Sequence, residues 1–149
     1  MSADQQATLK ATLGYIEEAV KSGATFVLTP EVTNCIAENR AQLEAGLQFE
    51  EDDLTLSAFQ EAAQKYGIWL LLGSIALKTH DPDGRFANRS FLISPKGDVV
   101  ARYDKIHMFD ATISAVESYR ESSSYRPGKH AVLADGAGAK IGMSICYDV

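Results

Sequence analysis

Three short apolar runs set the main limit on how this chain can fold. They are ATFVL at 24–28, IWLLL at 68–72 and KIGMSI at 140–145, and their length and composition are typical of buried strands. A segment with the periodicity of an amphipathic helix precedes each of the first two runs, at 5–22 and at 53–66. Helices that alternate with buried strands predict an α/β layered fold.

Both predicted helices carry their own end signals. In the first helix, four apolar residues recur at steps of four, three and four and therefore share one face: Leu9, Leu13, Ile16 and Val20. Ser22-Gly23 is a stop signal for this helix, and Gly67 can cap the second. The polar stretch 33–52 between the first strand and the second helix predicts a loop with a helical piece.

A hairpin makes the predicted sheet a mixed one. The runs 90–93 and 98–103 are joined by SPKG at 94–97, which is a turn sequence. Further along, 107–128 has no clean periodicity and ends in RPG, which predicts a long loop, and 131–133 predicts a short strand. The chain then reaches the last buried run.

The charge balance and the two cysteines limit the partners and the compartment. Among 149 residues, 20 Asp and Glu stand against 14 Lys and Arg, which gives a net charge of -6 without any basic run. We therefore expect no nucleic-acid partner and no binding to anionic membranes. No apolar run is long enough to cross a bilayer, and the polar start MSADQQ lacks a signal-peptide pattern. The resulting predictions are one domain at most, reduced thiols and a cytoplasmic location.

Three reactive residues each come directly after a predicted strand. They are Glu31, Lys105 and Cys146, and sites in α/β sheets usually lie at this rim. A cysteine nucleophile attacks as the thiolate, so it needs a base or a positive neighbour. Glu31 is a candidate base, and Lys105 is a candidate to stabilise the thiolate and an oxyanion. The backbone N–H of Tyr147 is a candidate second oxyanion donor.

Each of these residues also has an ordinary structural explanation. A cysteine at the end of an apolar strand is more often a small buried side chain than a nucleophile. Glu31 fits a surface carboxylate, and Lys105 fits a solvated charge at a strand end. His107 is a further candidate base, although a single histidine is usually structural or exposed. Residue type and spacing alone therefore stop at an α/β domain with a candidate cysteine site.

Motifs for metal or phosphate binding are absent from the sequence. The three histidines, His80, His107 and His130, have no metal-ligand spacing with one another or with the cysteines. Cys35 lies in a polar stretch, and we interpret it as structural. DGAG at 135–138 is too short for a phosphate-binding loop and predicts a turn. These residues indicate no metal site.

Four sequence blocks resemble, in the same order, those of one enzyme family. VLTPEVTN at 27–34 is similar to the family's catalytic glutamate block, ARYDKIHMFD at 101–110 to its lysine block, YRESSSYRPG at 119–128 to the block of its second glutamate, and KIGMSICYDV at 140–149 to its nucleophile block. The set spans nearly the whole chain and resembles the nitrilase superfamily of carbon–nitrogen hydrolases. The resemblance favours the catalytic interpretation of these blocks over the structural one.

The resemblance implies an α-β-β-α sandwich of the nitrilase type with a Glu-Lys-Cys triad. Glu31 would accept the proton of Cys146, and Cys146 would attack an amide carbon and form a thioester while ammonia leaves. Lys105 and the Tyr147 backbone amide would hold the oxyanion. Glu121 would orient Lys105 or the amide nitrogen of the substrate. The family chemistry requires no metal and no organic cofactor.

Two pieces of sequence, KIHMFD and RES…RPG, look most like the Nit-type amidases, which include omega-amidase and deaminated glutathione amidase. The substrate would then be the terminal amide of a small keto acid or of its peptide conjugate. Nitrilases and N-carbamoyl amino acid hydrolases share the triad and remain alternatives.

Compared with the family, residues 1–149 resemble a partial domain. Family members continue beyond the nucleophile block, and a first strand normally precedes the helix at 5–22. We therefore expect an incomplete sandwich whose apolar faces are available to another chain, and a homo-oligomer for the full-length protein. The non-enzymatic alternative is an inactive remnant that pairs with a full-length homologue.

Overall fold

A four-stranded mixed sheet lies at the centre of the computed structural model, which describes residues 4–37, 39–112 and 118–149. The helices are α1 (Gln5–Lys21), α2 (Arg40–Gly46) and α3 (Leu54–Tyr66). The strands are β1 (Phe26–Leu28), β2 (Trp69–Leu77), β3 (Ala87–Ile93), β4 (Val99–Asp104), β5 (Asp110–Thr112), β6 (Ser118–Arg120), β7 (Val132–Gly136) and β8 (Ala139–Met143). The central sheet has the order β1-β2-β3-β4, with β1 parallel to β2 and the other neighbours antiparallel. The strands β5 and β6 form a separate antiparallel pair, as do β7 and β8.

The two long helices begin and end close to the predicted positions. The Asp4 side chain accepts a hydrogen bond from Ala7 N at 3.0 Å at the start of α1, and Asp53 accepts one from Leu56 N at 2.8 Å in α3. Gly67 ends α3 in the left-handed conformation, with φ 63°.

The helical piece predicted in the polar stretch is α2. In the part of the chain that the structure describes, no helix is both long and apolar enough to cross a membrane.

Alternate side chains of the central sheet pack against two different layers. Leu70 and Leu72 of β2 belong to the apolar cluster that α1 and α3 cover. Trp69 and Leu71, on the opposite face, pack in a cluster that includes Ile141 of β8. Because side chains alternate along a strand, the sheet is covered by helices on one face and by the β7–β8 pair on the other. The predicted α/β layered class is confirmed.

Strand β2 is longer than predicted. The strand expected at 68–72 continues past Gly73 to Leu77 through a β-bulge. A Cβ at Gly73 would lie 2.2 Å from Thr29 O, so only glycine allows the segment after β1 to pass this close. The sequence prediction ended the strand too early because a bulge has no apolar periodicity of its own.

The segment 107–128 is not the long loop that the sequence predicts. It contains the paired strands β5 and β6 and the 3₁₀ turn Glu121–Ser123. Each strand has three residues, too few to show a periodicity, and the prediction was therefore wrong. Residues 113–117 lie outside the described residues. The strands predicted at 131–133 and 140–145 are β7 and β8 with shifted ends.

Four charged residues on β3, β4 and the turn before α3 form what we call the arginine network: Glu50, Arg89, Arg102 and Asp104. Arg89 donates from Nη1 to Glu50 at 2.6 Å and from Nη2 to Asp104 at 2.8 Å, while Arg102 donates to the other oxygen of Glu50. Arg89 is two residues from Phe91, which lies in the cluster under the helices, so both side chains point to the same face. These two positive and two negative charges balance, and Arg126 and Asp81, which pair with each other beside Asp104, add one charge of each sign.

Candidate active site

Four of the predicted site residues meet in one pocket, although four separate segments carry them. Glu31 lies in the turn after β1, and Lys105 directly follows β4. Glu121 begins the 3₁₀ turn after β6, and Cys146 begins the 3₁₀ turn after β8. All four line a pocket of about 780 Å³. The structure thus brings together residues that are up to 115 positions apart (146 minus 31) in the sequence.

The Lys105 ammonium is the centre of the cluster. Its side chain is 2% exposed, and Nζ donates to Glu31 Oε1 at 2.9 Å and to the two Glu121 oxygens at 2.9 and 3.1 Å. Burial lowers the pKa of Lys105, but the hydrogen bonds to the two carboxylates outweigh burial and raise that pKa above its ordinary value. Lys105 is therefore a fixed positive charge at neutral pH.

The backbone also holds Lys105 in place. Its N–H donates to Asn88 O at 3.0 Å, and its carbonyl accepts from Gly128 N at 2.7 Å. A Cβ on Gly128 would lie 2.1 Å from Asp104 O, so this contact requires glycine. Gly128, the last residue of the RPG sequence, therefore holds the lysine segment in place.

Glu31 and Cys146 are in complementary protonation states. Burial raises the pKa of the Glu31 carboxyl, but hydrogen bonds from Lys105 and Asn88 outweigh it and hold that pKa below its ordinary value. Desolvation and the Glu31 carboxylate raise the pKa of the Cys146 thiol, and the opposing effects of Lys105 and the Tyr147 backbone amide are smaller. At neutral pH an ionised carboxylate therefore faces a protonated thiol, which is the arrangement that general-base activation needs.

The turn that carries Glu31 is fixed by the bulge of β2. Val32 has φ 48°, a conformation that is strained for a β-branched residue. Its N–H donates to Ser74 Oγ at 2.8 Å, and Thr33 N donates to Ser74 O at 2.8 Å. The backbone around Glu31 is thus tied to the central sheet.

The turn that carries Cys146 is also strained and anchored. Cys146 has φ 47°, in the left-handed region that L side chains rarely adopt. The Asp148 carboxylate accepts hydrogen bonds from Ile145 N at 3.0 Å, His107 N at 2.8 Å and Tyr103 Oη at 2.6 Å. One carboxylate therefore ties the nucleophile turn to the segment that carries the lysine.

Two polar residues of this arrangement escape the sequence analysis. Asn88 lies inside β3 and donates from Nδ2 to Glu31 Oε1 at 2.9 Å and to Glu121 Oε1 at 3.4 Å. Asp148 stands two positions after Cys146, within one of the blocks already singled out. The sequence predicts this strand only from residue 90, whereas β3 begins at Ala87, so Asn88 lies outside the predicted strand.

The other candidates from the sequence lie near the cluster or apart from it. A hydrogen bond from the Tyr147 backbone amide lowers the pKa of the Cys146 thiol. The Tyr147 ring is exposed and packs edge-on against the Phe109 ring, with 5.3 Å between the ring centroids. His107 Nδ1 lies 3.0 Å from Asp148 Oδ1, and its ring is mostly exposed. Cys35 is a free thiol in an apolar cluster, which fits its structural interpretation. Among the described residues, no group of three or more metal-ligating side chains is found.

Proteins that are similar in sequence to this chain include deaminated glutathione amidases. The deaminated glutathione amidase of Yersinia enterocolitica is 36% identical over 141 residues, which cover 92% of this chain and 49% of that protein. The Mus musculus protein of the same name is 32% identical over 150 residues, with 98% of this chain and 46% of that protein covered. The chain spans about half the length of the curated relatives it matches.

A solved structure and a family model also match this chain. The crystal structure of the C. elegans NitFhit protein matches with a TM-score of 0.83 at 28% identity, over 99% of this chain and 36% of that one. The family model described as carbon–nitrogen hydrolase matches residues 1–149. The resemblance to nitrilase-type proteins is therefore confirmed, and the chain belongs to the carbon–nitrogen hydrolase family.

Proposed function

We propose that the protein carrying this chain hydrolyses the C–N bond of a small amide and releases ammonia through a thioester on Cys146. The observation that supports this most is the pocket in which Glu31 and Cys146 lie together with the buried Lys105 ammonium, which donates to both Glu31 and Glu121. This set supplies a base, a nucleophile and a positive charge in one pocket.

The first chemical step transfers one proton and forms one bond. Glu31 takes the thiol proton while the sulfur attacks the amide carbon, and the carbonyl π electrons move to the oxygen. Lys105 Nζ and the Tyr147 backbone N–H stabilise the resulting oxyanion. Because Nζ is already held by two carboxylates, little rearrangement is needed when the negative charge develops.

The remaining steps return the enzyme to its starting state. The tetrahedral intermediate collapses, the C–N bond breaks, and Glu31 gives its proton to the leaving nitrogen, which departs as ammonia. Glu31 then takes a proton from water as the water oxygen attacks the thioester carbon. The C–S bond breaks, the proton returns to sulfur, and the carboxylic acid product leaves.

Glu121 acts in this mechanism by positioning Lys105. Both of its oxygens accept from Lys105 Nζ, and Oε2 also accepts from Phe109 N at 2.7 Å. The side chain is buried, so its charge is compensated chiefly by the lysine. This favours the orientation of Lys105 over the alternative in which Glu121 binds the amide nitrogen of the substrate.

We propose as substrate the terminal amide of a small keto acid or of its peptide conjugate. Relatives of this chain named deaminated glutathione amidase support this choice, together with the KIHMFD and RES…RPG sequences. A cytoplasmic location, a homo-oligomer and the absence of a cofactor remain predictions from the sequence.

Ammonia release by the full natural polypeptide tests the proposal. We expect release from deaminated glutathione or alpha-ketoglutaramate, and Cys146→Ala lowers kcat by about 10³-fold or more, since the nucleophile is lost. The control for the loss of a thiol is Cys35→Ala. Cys35 also lines the pocket, but it is buried in an apolar cluster, so we expect kcat to stay within about twofold. Equal rates for wild type and Cys146→Ala would refute the mechanism.

A further inference from the structure

Asn88 touches three members of the candidate site. Its side chain is 1% exposed, and Nδ2 donates to Glu31 Oε1 at 2.9 Å and to Glu121 Oε1 at 3.4 Å. Its carbonyl accepts from Lys105 N at 3.0 Å. One strand residue is thus in contact with both carboxylates and with the backbone of the lysine between them.

We propose that Asn88 is a positioning residue of this site, whose amide holds the Glu31 and Glu121 carboxylates in the arrangement that directs Glu31 at Cys146. The inference rests on the proposed function for its catalytic meaning. Its structural part, the coupling of Asn88 to the Cys146 thiol through Glu31, is measurable without turnover.

The charge of the cluster explains why an amide is needed here. Glu31, Glu121 and Lys105 together carry a net charge of −1 in a largely buried pocket, and two carboxylates that share one cation repel each other. Asn88 donates a hydrogen bond to each carboxylate without adding charge. An aspartate of the same shape would add a third negative group, and an alanine would leave each carboxylate one donor short.

The position of Asn88 within β3 makes it a fixed reference point. Glu31 and Glu121 both lie in turns, whereas Asn88 is the second residue of β3 and is paired with Ala76 of β2. Among the described residues, Asn88 Oδ1 is buried without a hydrogen-bond partner. The orientation of the amide is therefore set by the carboxylates, because an inverted amide would point its oxygen at them.

Besides Asn88, several charged or titratable groups contact Glu31 or interact with its charge, and they contribute to the pH dependence that an experiment measures. They are Lys105 after β4, Glu121 after β6, Cys146 after β8 and, more weakly, the phenols of Tyr119 and Tyr125. Of these groups, Glu121 also accepts a hydrogen bond from the Asn88 side chain, so a substitution at Asn88 acts on Glu31 directly and through Glu121. Because the hydrogen bond from Asn88 lowers the pKa of Glu31, its removal moves the protonation of Glu31 to higher pH.

Asn34 provides a matched control. It is equally buried, at 1% exposed, and its side chain makes two hydrogen bonds, to Ala76 O at 2.8 Å and from Ala76 N at 2.9 Å. Asn34 holds the segment that follows Glu31 against β2, but its bonds go to backbone rather than to the carboxylates. Asn34→Ala reports the effect of losing a buried amide as such.

The experiment compares Asn88→Ala, Asn88→Asp and Asn34→Ala in the full natural polypeptide. We measure kcat/KM for ammonia release and the rate of Cys146 alkylation by iodoacetamide, both across about pH 4 to 9. For both Asn88 variants we expect the acid limb to move up by about half to one pH unit and kcat to fall by about 10- to 100-fold. Asn34→Ala lowers Tm but leaves the acid limb in place.

The outcomes separate this inference from the proposed function. An unchanged acid limb in a folded Asn88 variant, or an equal shift in Asn34→Ala, overturns the role of Asn88. If wild type releases no ammonia but the alkylation profile shifts only in the Asn88 variants, the proposed function fails and the inference stands. Asn88→Asp keeps the shape of the side chain and serves if Asn88→Ala does not fold.

Discussion

Two ion networks lie on opposite faces of β3, and consecutive residues belong to them. Asn88 belongs to the cluster of Glu31, Lys105 and Glu121, while Arg89 belongs to the arginine network. Both networks join β3 to neighbouring segments by short hydrogen bonds, and both lie beside a pocket. A search for charged clusters alone would not tell them apart.

The two networks differ in the type of cation, in their net charge and in whether a thiol lies beside them. Arg89 offers a planar fork to two carboxylates, and its hydrogen bonds to Asp104 and Glu50 raise its pKa further. Its network is neutral and has no nucleophile among the residues that define it. The Lys105 cluster carries one excess negative charge next to a thiol that has a proton to give. The excess negative charge beside a protonated thiol is what makes the Lys105 cluster, and not the arginine network, a candidate for proton transfer.

The largest expected difference between the two networks is in kcat, when the lysine of one is replaced by arginine and the arginine of the other by lysine. Lys105→Arg lowers kcat by about 10²- to 10³-fold, because a guanidinium cannot occupy the buried ammonium position between two carboxylates and also reach the oxyanion. Arg89→Lys keeps kcat within about threefold and lowers Tm by a few degrees. Ammonia release and thermal unfolding of the two variants make the comparison.

The same two variants can also contradict the different roles that we assign to the two networks. If Arg89→Lys lost as much activity as Lys105→Arg while remaining folded, the arginine network would belong to the active site. If Lys105→Arg kept its activity, a permanent charge of any shape would suffice at this position.

A smaller effect is expected where the two networks meet in the backbone. Gly128→Ala places a methyl group 2.1 Å from Asp104 O and disturbs the bond from Gly128 N to Lys105 O. We expect kcat to fall by about tenfold and stability by about 1–3 kcal/mol. Gly142→Ala is the matched control, since a Cβ there meets nothing within 4 Å. An unchanged kcat in Gly128→Ala would mean that Lys105 does not depend on this hydrogen bond.

The smallest effect is the pH dependence of stability contributed by Glu31. Its pKa lies below the ordinary 4.5 in the folded protein, so its contribution is present above pH 4.5 and is lost as pH falls through the lower folded pKa. Thermal unfolding of wild type and Glu31→Gln between about pH 3 and 6 measures this, with a Tm difference of a few degrees that narrows towards acid. A difference that widens towards acid would contradict the lowered pKa.

The sequence allowed the positions of Glu31, Lys105, Glu121 and Cys146 to be predicted because each follows a strand or lies in a recognisable block. Two of the apolar runs and the hairpin signal likewise predicted strands of the central sheet, and the helical periodicity predicted the two helices that cover it. Periodicity works well for such long, buried elements, since burial selects the residue type at every second or every third to fourth position.

The missed features depend on contacts between distant residues. Asn88 is one polar position in a buried strand, and its partners lie 57 and 33 residues away. The bond between Glu50 and Arg102 spans 52 residues. The strands β5 and β6 are too short to show a periodicity. The need for glycine at position 73 comes from its contact with Thr29 O, which is 44 residues away in the sequence. No local pattern encodes such pairings.

The most direct test of the proposed mechanism is to find the acyl group on the nucleophile. The full natural polypeptide is mixed with its amide substrate, quenched in acid during turnover, digested and analysed by mass spectrometry. We predict that the Cys146 peptide gains the mass of the substrate's acyl group, that hydroxylamine removes it, and that Cys146→Ala carries none. Steady ammonia release with the acyl group on another side chain, or with activity retained in Cys146→Ala, would contradict the thioester mechanism.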